Sequence, residues 1–260
     1  MQDSMNFKEK LFTKYRKNGF MGVTKAILKR ITGYNYFIKK KDKYMLNKIL
    51  KLDDMKVRFE EIYKTSYWGS KDSASGVGST LNYTRPLREW LIKKINDLDI
   101  KNVVDAPCGD FHWMKDVVKN VNVNYVGLDI VDALIAFNNK SYKNEKIIFE
   151  TKDICNDQIP NCDLLIVRDC LFHLSYSHID SFLRNIYKCE YEYLLTTTHI
   201  VEDNFSNSDI ITGDFREINL FSRPFLFNRD HVIDYITEGH NNSLRKMILI
   251  SKSNVPKSIL

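Results

Sequence analysis

The chain is short of the residues that staple or punctuate many folds of its size. Its five cysteines, Cys108, Cys155, Cys162, Cys170 and Cys189, are odd in number, scattered and without a C-x-x-C pair. A disulfide framework or a zinc ligand set is therefore excluded as an organising principle, and no metal is expected. No apolar run approaches the roughly 18 residues of a membrane span, and the polar, basic start has no signal-peptide pattern. A reducing cytoplasm is the expected compartment. There is no internal repeat, and no low-complexity tract beyond Lys39-Lys40-Lys41.

What is present is enough for one sizeable α/β core: 260 residues, 43% hydrophobic and 12% aromatic. The net charge of +6 hides an asymmetry. Residues 1–51 hold 14 Lys and Arg against Asp3, Glu9 and Asp42, a balance of +11, while the rest holds 25 basic and 30 acidic side chains, a balance of −5. A mildly acidic body argues against a nucleic-acid channel through it, because phosphate neutralisation needs clustered Lys and Arg. The basic arm shows two apolar stripes at helical spacing, Phe7, Leu11, Phe12, Tyr15 and Val23, Ala26, Ile27, Ile31. It reads either as a helical extension packed on the body or on a second subunit, or as a peripheral contact with an anionic membrane face. Residues 1–57 are assigned to this extension and 58–260 to a single catalytic domain.

From Arg58 the chain runs through Phe59, Ile62, Tyr63, Tyr67 and Trp68 into a Gly- and Ser-rich stretch with Gly76, Gly78 and Ser79. This predicts a short helix leading into a lid over 58–84. Thr84 reads as the N-cap of the next helix, with Pro86 in its first turn. Strands are then expected near 102–106, 123–128, 146–150, 163–168, 193–198 and 246–251, with helices near 110–119, 131–140 and 177–189. Ser177 with Asp180 reads as a capping box, and a further helix is expected from Asp230. The alternation is that of a parallel βαβ series, with 199–245 as an insertion on the acceptor side.

The densest signal is Val103-Val104-Asp105-Ala106-Pro107-Cys108-Gly109-Asp110-Phe111, followed by Asp129 at the end of the next apolar run. Two valines supply a buried strand, Gly109 admits a close ligand, and a carboxylate 20 residues on stands where a ribose would be held. Of the glycines in a dinucleotide fingerprint only Gly109 remains, which favours a nucleoside-bearing cofactor without a pyrophosphate.

With these residues in view the chain resembles the class I S-adenosylmethionine (SAM)-dependent methyltransferases, over roughly residues 58 to 252. Phe59, Tyr63, Trp68, Gly76, Gly78, Ser79 and Thr84, then the Asp105–Phe111 turn with Trp113-Met114, resemble a subgroup encoded with bacterial capsule and surface-polysaccharide genes. Pro107 and Phe111 stand where the family commonly has glycine. The resemblance implies a Rossmann-like fold, a mostly parallel seven-stranded sheet with helices on both faces, and SAM as cofactor. It implies a ribose ligand in Asp129 beside Ile130, an adenine site at Asp153-Ile154, and a methionyl site at Asp105, Cys108, Gly109 and Arg168. The lid would be formed by Trp68, Gly76, Gly78 and Ser79.

Methyl transfer from a sulfonium asks mainly for alignment, with a base needed for acceptors such as a sugar hydroxyl. His173 and Asp169, after strand 4, and His199, after strand 5, are the candidate catalytic residues. Arg216, Asn219 and Arg223 are candidates for binding a small anionic or carbohydrate acceptor. The alternatives to a small-molecule methyltransferase of surface-polysaccharide synthesis are an RNA methyltransferase gripping its substrate with the arm, and an inactive SAM-binding partner of a related enzyme.

Overall fold

The structure, a computed structural model, describes residues 43–239 and 244–259. The chain divides into two compact units, Met1–Lys48 and Ile49–Leu260. Of the first, only residues 43–48 are described, and they are helical. The two helices expected at 7–15 and 23–31 lie outside the described residues.

The second unit is built on seven strands: β1 (Asn102–Asp105), β2 (Asn124–Asp129), β3 (Ile147–Thr151), β4 (Leu164–Val167), β5 (Tyr193–His199), β6 (Val232–Glu238) and β7 (Arg245–Ser251). Their order across the sheet is β3-β2-β1-β4-β5-β7-β6. The first five are parallel neighbours, and β7 runs antiparallel to both β5 and β6. This is the mostly parallel Rossmann-like sheet expected. Its strands are apolar on both sides because both faces are covered. Val104, Leu165, Val167, Leu194, Ile248 and Ile250 point into one core, while Val103, Leu164, Ile166, Leu195, Met247 and Leu249 point into the other.

Helix α1 (Met55–Lys64) is capped by Asp54, whose carboxylate accepts from Val57 N at 3.0 Å. Helix α2 (Leu81–Asp97) begins four residues before the position read from the sequence: Thr80 caps it, Pro86 lies inside it, and Thr84 is buried with its hydroxyl on Thr80 O. Helices α3 (Met114–Val118) and α4 (Asp132–Tyr142) follow β1 and β2. The turn after β1 consumes the residues that the periodicity had given to a longer helix at 110–119. Helix α5 (Tyr176–Ile186) is capped by Ser175 and not by Ser177, and Asp180 instead accepts from Ile259 N and Arg184 Nε. Of the face expected from the spacing of Ile179, Phe182, Leu183, Ile186 and Tyr187, the first four are buried, whereas Tyr187, at the C-cap, is half exposed.

The helix expected from Asp230 is β6, preceded only by a single 3-10 turn at Arg229–His231. The inward positions of this edge strand carry Asp234 and Glu238 while Ile233 and Tyr235 face out, half exposed. Its inward positions thus mix these carboxylates with Val232 and Ile236, which pack on the core. Asp234 pairs with Lys94 of α2, and Glu238 with Arg168.

Phe182 has no exposed surface. Phe182→Ala should lower the unfolding free energy by about 3–5 kcal/mol in a urea titration. A loss below about 1 kcal/mol would be inconsistent with α5 closing this core.

Candidate active site

The carboxyl ends of β1 to β4 meet at the turn Asp105–Phe111. Two of its residues have left-handed backbone, Gly109 (φ 54°) and Phe111 (φ 56°), and the Ala106–Pro107 peptide is cis. Glycine is required at 109, since a Cβ there would stand 2.2 Å from Ser75 Oγ. At 111 the chain keeps a glycine-like conformation with a phenylalanine, whose buried ring meets Tyr125, Tyr142 and Phe149 at 4.9, 5.4 and 5.0 Å. That aromatic cluster offsets the backbone cost of order 1 kcal/mol or more.

Asp129 ties this turn to the next. Its two carboxylate oxygens accept from Gly109 N and Val131 N, each at 3.0 Å, and Asn138 Nδ2 donates to Gly109 O at 2.8 Å. Burial raises the Asp129 carboxyl to about 6 despite the opposing backbone donors. Asp105, which accepts from Tyr125 Oη at 2.8 Å, is raised by burial to about 7.

The stretch expected as a lid lies across this turn. Asp110 Oδ2 accepts from Ser73 Oγ and from Ala74 N, both at 2.8 Å, and Ser75 Oγ accepts from Asp110 N at 3.2 Å. Farther along, Gly76 is in positive φ (102°) and Gly78 O accepts from Arg168 Nη2 at 2.9 Å. Trp68 stacks on His173 at 4.2 Å.

Beneath the lid lie two adjoining compartments that share Trp68, Ser75, Pro107, Asp129, Asp169 and His173. The first, about 750 Å³ including its open mouth, is apolar, with Ile130, Val131, Leu134, Ile154, Cys155 and Leu174 in its wall. Asp153 lines it too, its carboxylate accepting from Cys155 N and Asn156 Nδ2. The second is the more polar of the two, lined by Asp105, Cys108, Gly109, Arg168, Asp169 and Arg245, with Gly76, Gly78 and Ser79 from the expected lid stretch.

His173 and Asp169 both face these compartments, but not as i, i+4 neighbours on a helix. Asp169 is in left-handed backbone and His173 closes a single 3-10 turn. His173 Nδ1 lies 2.7 Å from Asp214 O, which can only accept, so Nδ1 carries the proton and Nε2 the lone pair. Burial lowers the imidazole to about 4, leaving it neutral at physiological pH. Asp169 is the opposite case. Burial raises its carboxyl, but Arg168 and Arg245 outweigh that and hold it below its usual range, as a poor proton acceptor.

The other candidates are placed elsewhere. His199 is buried, its Nδ1 accepting from Ile218 N, and it lines neither compartment. Arg216 is buried with Nη1 on Leu174 O and its guanidinium over Tyr176. Asn219 closes a turn onto Ser222 and Phe221, and Arg223 is exposed beyond it. None of these three meets either compartment. The residues not anticipated are Asp110, Phe215, Glu238 and Arg245. Glu238 binds Arg168 in bidentate fashion, at 2.9 and 3.2 Å, in a pair almost without exposed surface.

No protein-family model matches the chain, and no curated protein sequence matches it. Solved structures do. A Burkholderia thailandensis 1,6-didemethyltoxoflavin-N1-methyltransferase with bound 1,6-didemethyltoxoflavin and S-adenosylhomocysteine superposes with a TM-score of 0.57 at 14% identity, over 76% of this chain and 87% of that one. A magnesium protoporphyrin IX methyltransferase from Synechocystis with bound SAM gives 0.55 at 9% identity, over 77% and 98%. Human N-acetylserotonin methyltransferase in complex with SAM gives 0.50 at 15%, over 75% of this chain but only 58% of that longer one. The chain therefore has the Rossmann-like fold of class I methyltransferases.

Asp105 generates a measurable pH dependence. Its folded pKa, about 7, lies above the ordinary carboxyl value of 3.8, so its contribution is fully present below about pH 4 and is lost as pH rises towards 7. Asp105→Asn removes that titration. The variant should therefore gain on the wild type by a few kcal/mol (~1.4 per pKa unit) between about pH 4 and pH 8 in paired urea titrations. Parallel pH curves for the two proteins would contradict the burial of this carboxyl.

Proposed function

We infer that the chain is a SAM-dependent methyltransferase acting on a small polar acceptor. The observation that carries this reading is the pair of compartments joined at Asp129 and His173, one apolar and one polar, at the carboxyl ends of β1, β2 and β4. The apolar compartment fits an adenine ring, between Ile130 and Ile154. Asp129 spends one acceptor site of each oxygen on a backbone N–H and keeps others for ribose hydroxyls. Asp105 and the open backbone at Gly109 fit the amino-acid end. SAM supplies an electrophilic methyl on a good neutral leaving group, and the chain's own residues align the acceptor and hold its proton.

His173 suits a hydroxyl acceptor. Its proton is fixed on Nδ1 by a backbone carbonyl, so Nε2 is free to take one, and its low pKa keeps it neutral. Trp68 and the lid cover the site, favouring a small molecule over a folded nucleic acid. We place the acceptor among sugar, nucleotide-linked or phosphoramidate intermediates of bacterial capsule or surface-polysaccharide synthesis, with the hydroxyl-bearing ones favoured by His173. The support for that pathway is the resemblance carried by the Trp68–Ser79 lid and the Asp105–Phe111 turn. Among the described residues no helix is long and apolar enough to cross a membrane, and no cluster of three or more His, Cys, Asp or Glu could hold a metal ion.

Calorimetric titration with S-adenosylhomocysteine should show one site per chain, and Asp129→Ala should weaken it about tenfold or more. A wild-type protein that does not bind it would end this reading. With sugar and nucleotide-sugar acceptors, His173→Ala should lower kcat about 100-fold or more. Wild-type turnover should hold down to about pH 5, because a base titrating near 4 stays deprotonated there. An acidic limb centred near pH 6.5 would contradict the environment assigned to His173.

A further inference from the structure

With Arg216, Asn219 and Arg223 outside the compartments, the acceptor lacks an anchor among the residues legible in the sequence. Two guanidiniums do line the polar compartment, Arg168 and Arg245. Arg168 is committed: its Nε and Nη2 donate to Glu238, Nη2 also to Gly78 O, and Nη1 lies 3.4 Å from Asp169. Arg245 is different. Of its five N–H donors, one bond is made, from Nη2 to Asp169 Oδ2 at 2.7 Å, and its Nε is buried with no partner. Its guanidinium also lies over the Tyr83 ring at 5.3 Å, and a buried Nε without a partner is costly unless something fills it.

Its backbone begins a strand away from those that carry the cofactor-side residues. The apolar compartment stands over the ends of β2 and β3, and the Asp105–Gly109 turn over β1, whereas Arg245 begins β7. With the order β1-β4-β5-β7, its backbone stands three strand spacings, roughly 14 Å, from β1, while its guanidinium reaches back to Asp169 just past the end of β4. The lid reaches over it: a Cβ on Gly78 would stand 2.8 Å from Arg245 Nη2, so the absence of a side chain there lets the lid backbone sit directly on the guanidinium. The charges also allow an anion. Glu238, Arg168, Asp169 and Arg245 alternate in sign and sum to zero, and a bound sulfonium would add a positive charge on the β1 side.

We propose that Arg245 is the acceptor anchor, its guanidinium binding an oxyanion, phosphate or carboxylate, carried by the acceptor in the polar compartment. The acceptor class is then a hydroxyl compound bearing an anionic group, with the hydroxyl at His173 and the anion at Arg245. This rests on the methyltransferase reading for the identity of the neighbouring occupant. The same fork chemistry would also suit the carboxylate of the cofactor's own amino-acid end, and the test separates the two sources.

Inorganic phosphate is titrated by calorimetry into the wild type, Arg245→Gln and Arg245→Lys, with and without saturating S-adenosylhomocysteine. Each protein is also titrated with S-adenosylhomocysteine and with 5′-methylthioadenosine, which lacks the amino-acid tail. The wild type should bind phosphate, R245Q should bind it about tenfold more weakly or worse, and R245K, which keeps the charge that pairs Asp169, should fall between. Affinity for S-adenosylhomocysteine should stay within about twofold in both variants, which also shows that they are folded. Equal phosphate affinity in wild type and R245Q, or none in the wild type, would overturn the proposal. So would a loss of S-adenosylhomocysteine binding with 5′-methylthioadenosine binding retained, since that would assign the guanidinium to the cofactor's carboxylate. If the wild type binds no adenosyl ligand, the methyltransferase reading fails by itself, and the phosphate titration of the ligand-free protein still decides the role of Arg245.

Discussion

The site depends on one buried carboxylate. Asp129 closes β2, caps the turn that follows through Val131 N, and holds the turn after β1 through Gly109 N. Without it two adjacent strand ends would each carry an unsatisfied amide and would be free to separate. Its burial is costly, as its raised pKa shows, and the structure accepts that cost where the Gly109 and Val131 amides converge. The remaining acceptor capacity of the same two oxygens faces the junction of the two compartments. Structural and ligand-directed roles thus meet in one group, at the strand ends where an open parallel sheet presents its chemistry.

Around that carboxylate the charges are sorted by environment. Asp105 and Asp129 have burial as their largest influence and are pushed up, Asp169 is held down by two arginines, and His173 is kept neutral by burial. Groups whose pKa values are driven apart in this way can take different parts in proton chemistry. The lid is joined to the same arrangement from both sides, by Asp110 at Ser73 and Ala74 and by Arg168 at Gly78.

Much of this was legible in the amino-acid order, and the exceptions have physical causes. The six strands with apolar runs were readable because a sheet covered on both faces needs them. The strand β6 was not, since two of its inward positions, among Val232 and Ile236, are Asp234 and Glu238, whose charges are matched by Lys94 and Arg168, 140 and 70 residues away. Thr84 read as a cap because Pro86 follows it, but the Thr80 hydroxyl lies at the true helix start. The strand-end residues of the cofactor side, Asp105, Asp129, Asp153 and Ile154, do line the compartments, because a strand–turn–helix sequence fixes where its turn lies. Arg216, Asn219 and Arg223 could not be placed from order alone: they follow β5 in an irregular segment whose path is set by long-range contacts such as Arg216 N to Phe172 O, and His199, the last residue of β5, is turned away from the compartments onto Ile218 N. For the same reason Arg245 and Glu238 left no local signal. They reach the site only because β6 and β7 turn back beside β5.

The central claim is that the apolar compartment holds an adenosine whose ribose rests on Asp129. A crystal structure of the chain soaked with S-adenosylhomocysteine tests it most directly. The account predicts density with the adenine between Ile130 and Ile154, both ribose hydroxyls on the Asp129 carboxylate, and the amino-acid end turned towards Asp105 and Gly109. An adenosine bound elsewhere, or an Asp129 carboxylate in contact only with Gly109 and Val131 while the ligand is present, would contradict it.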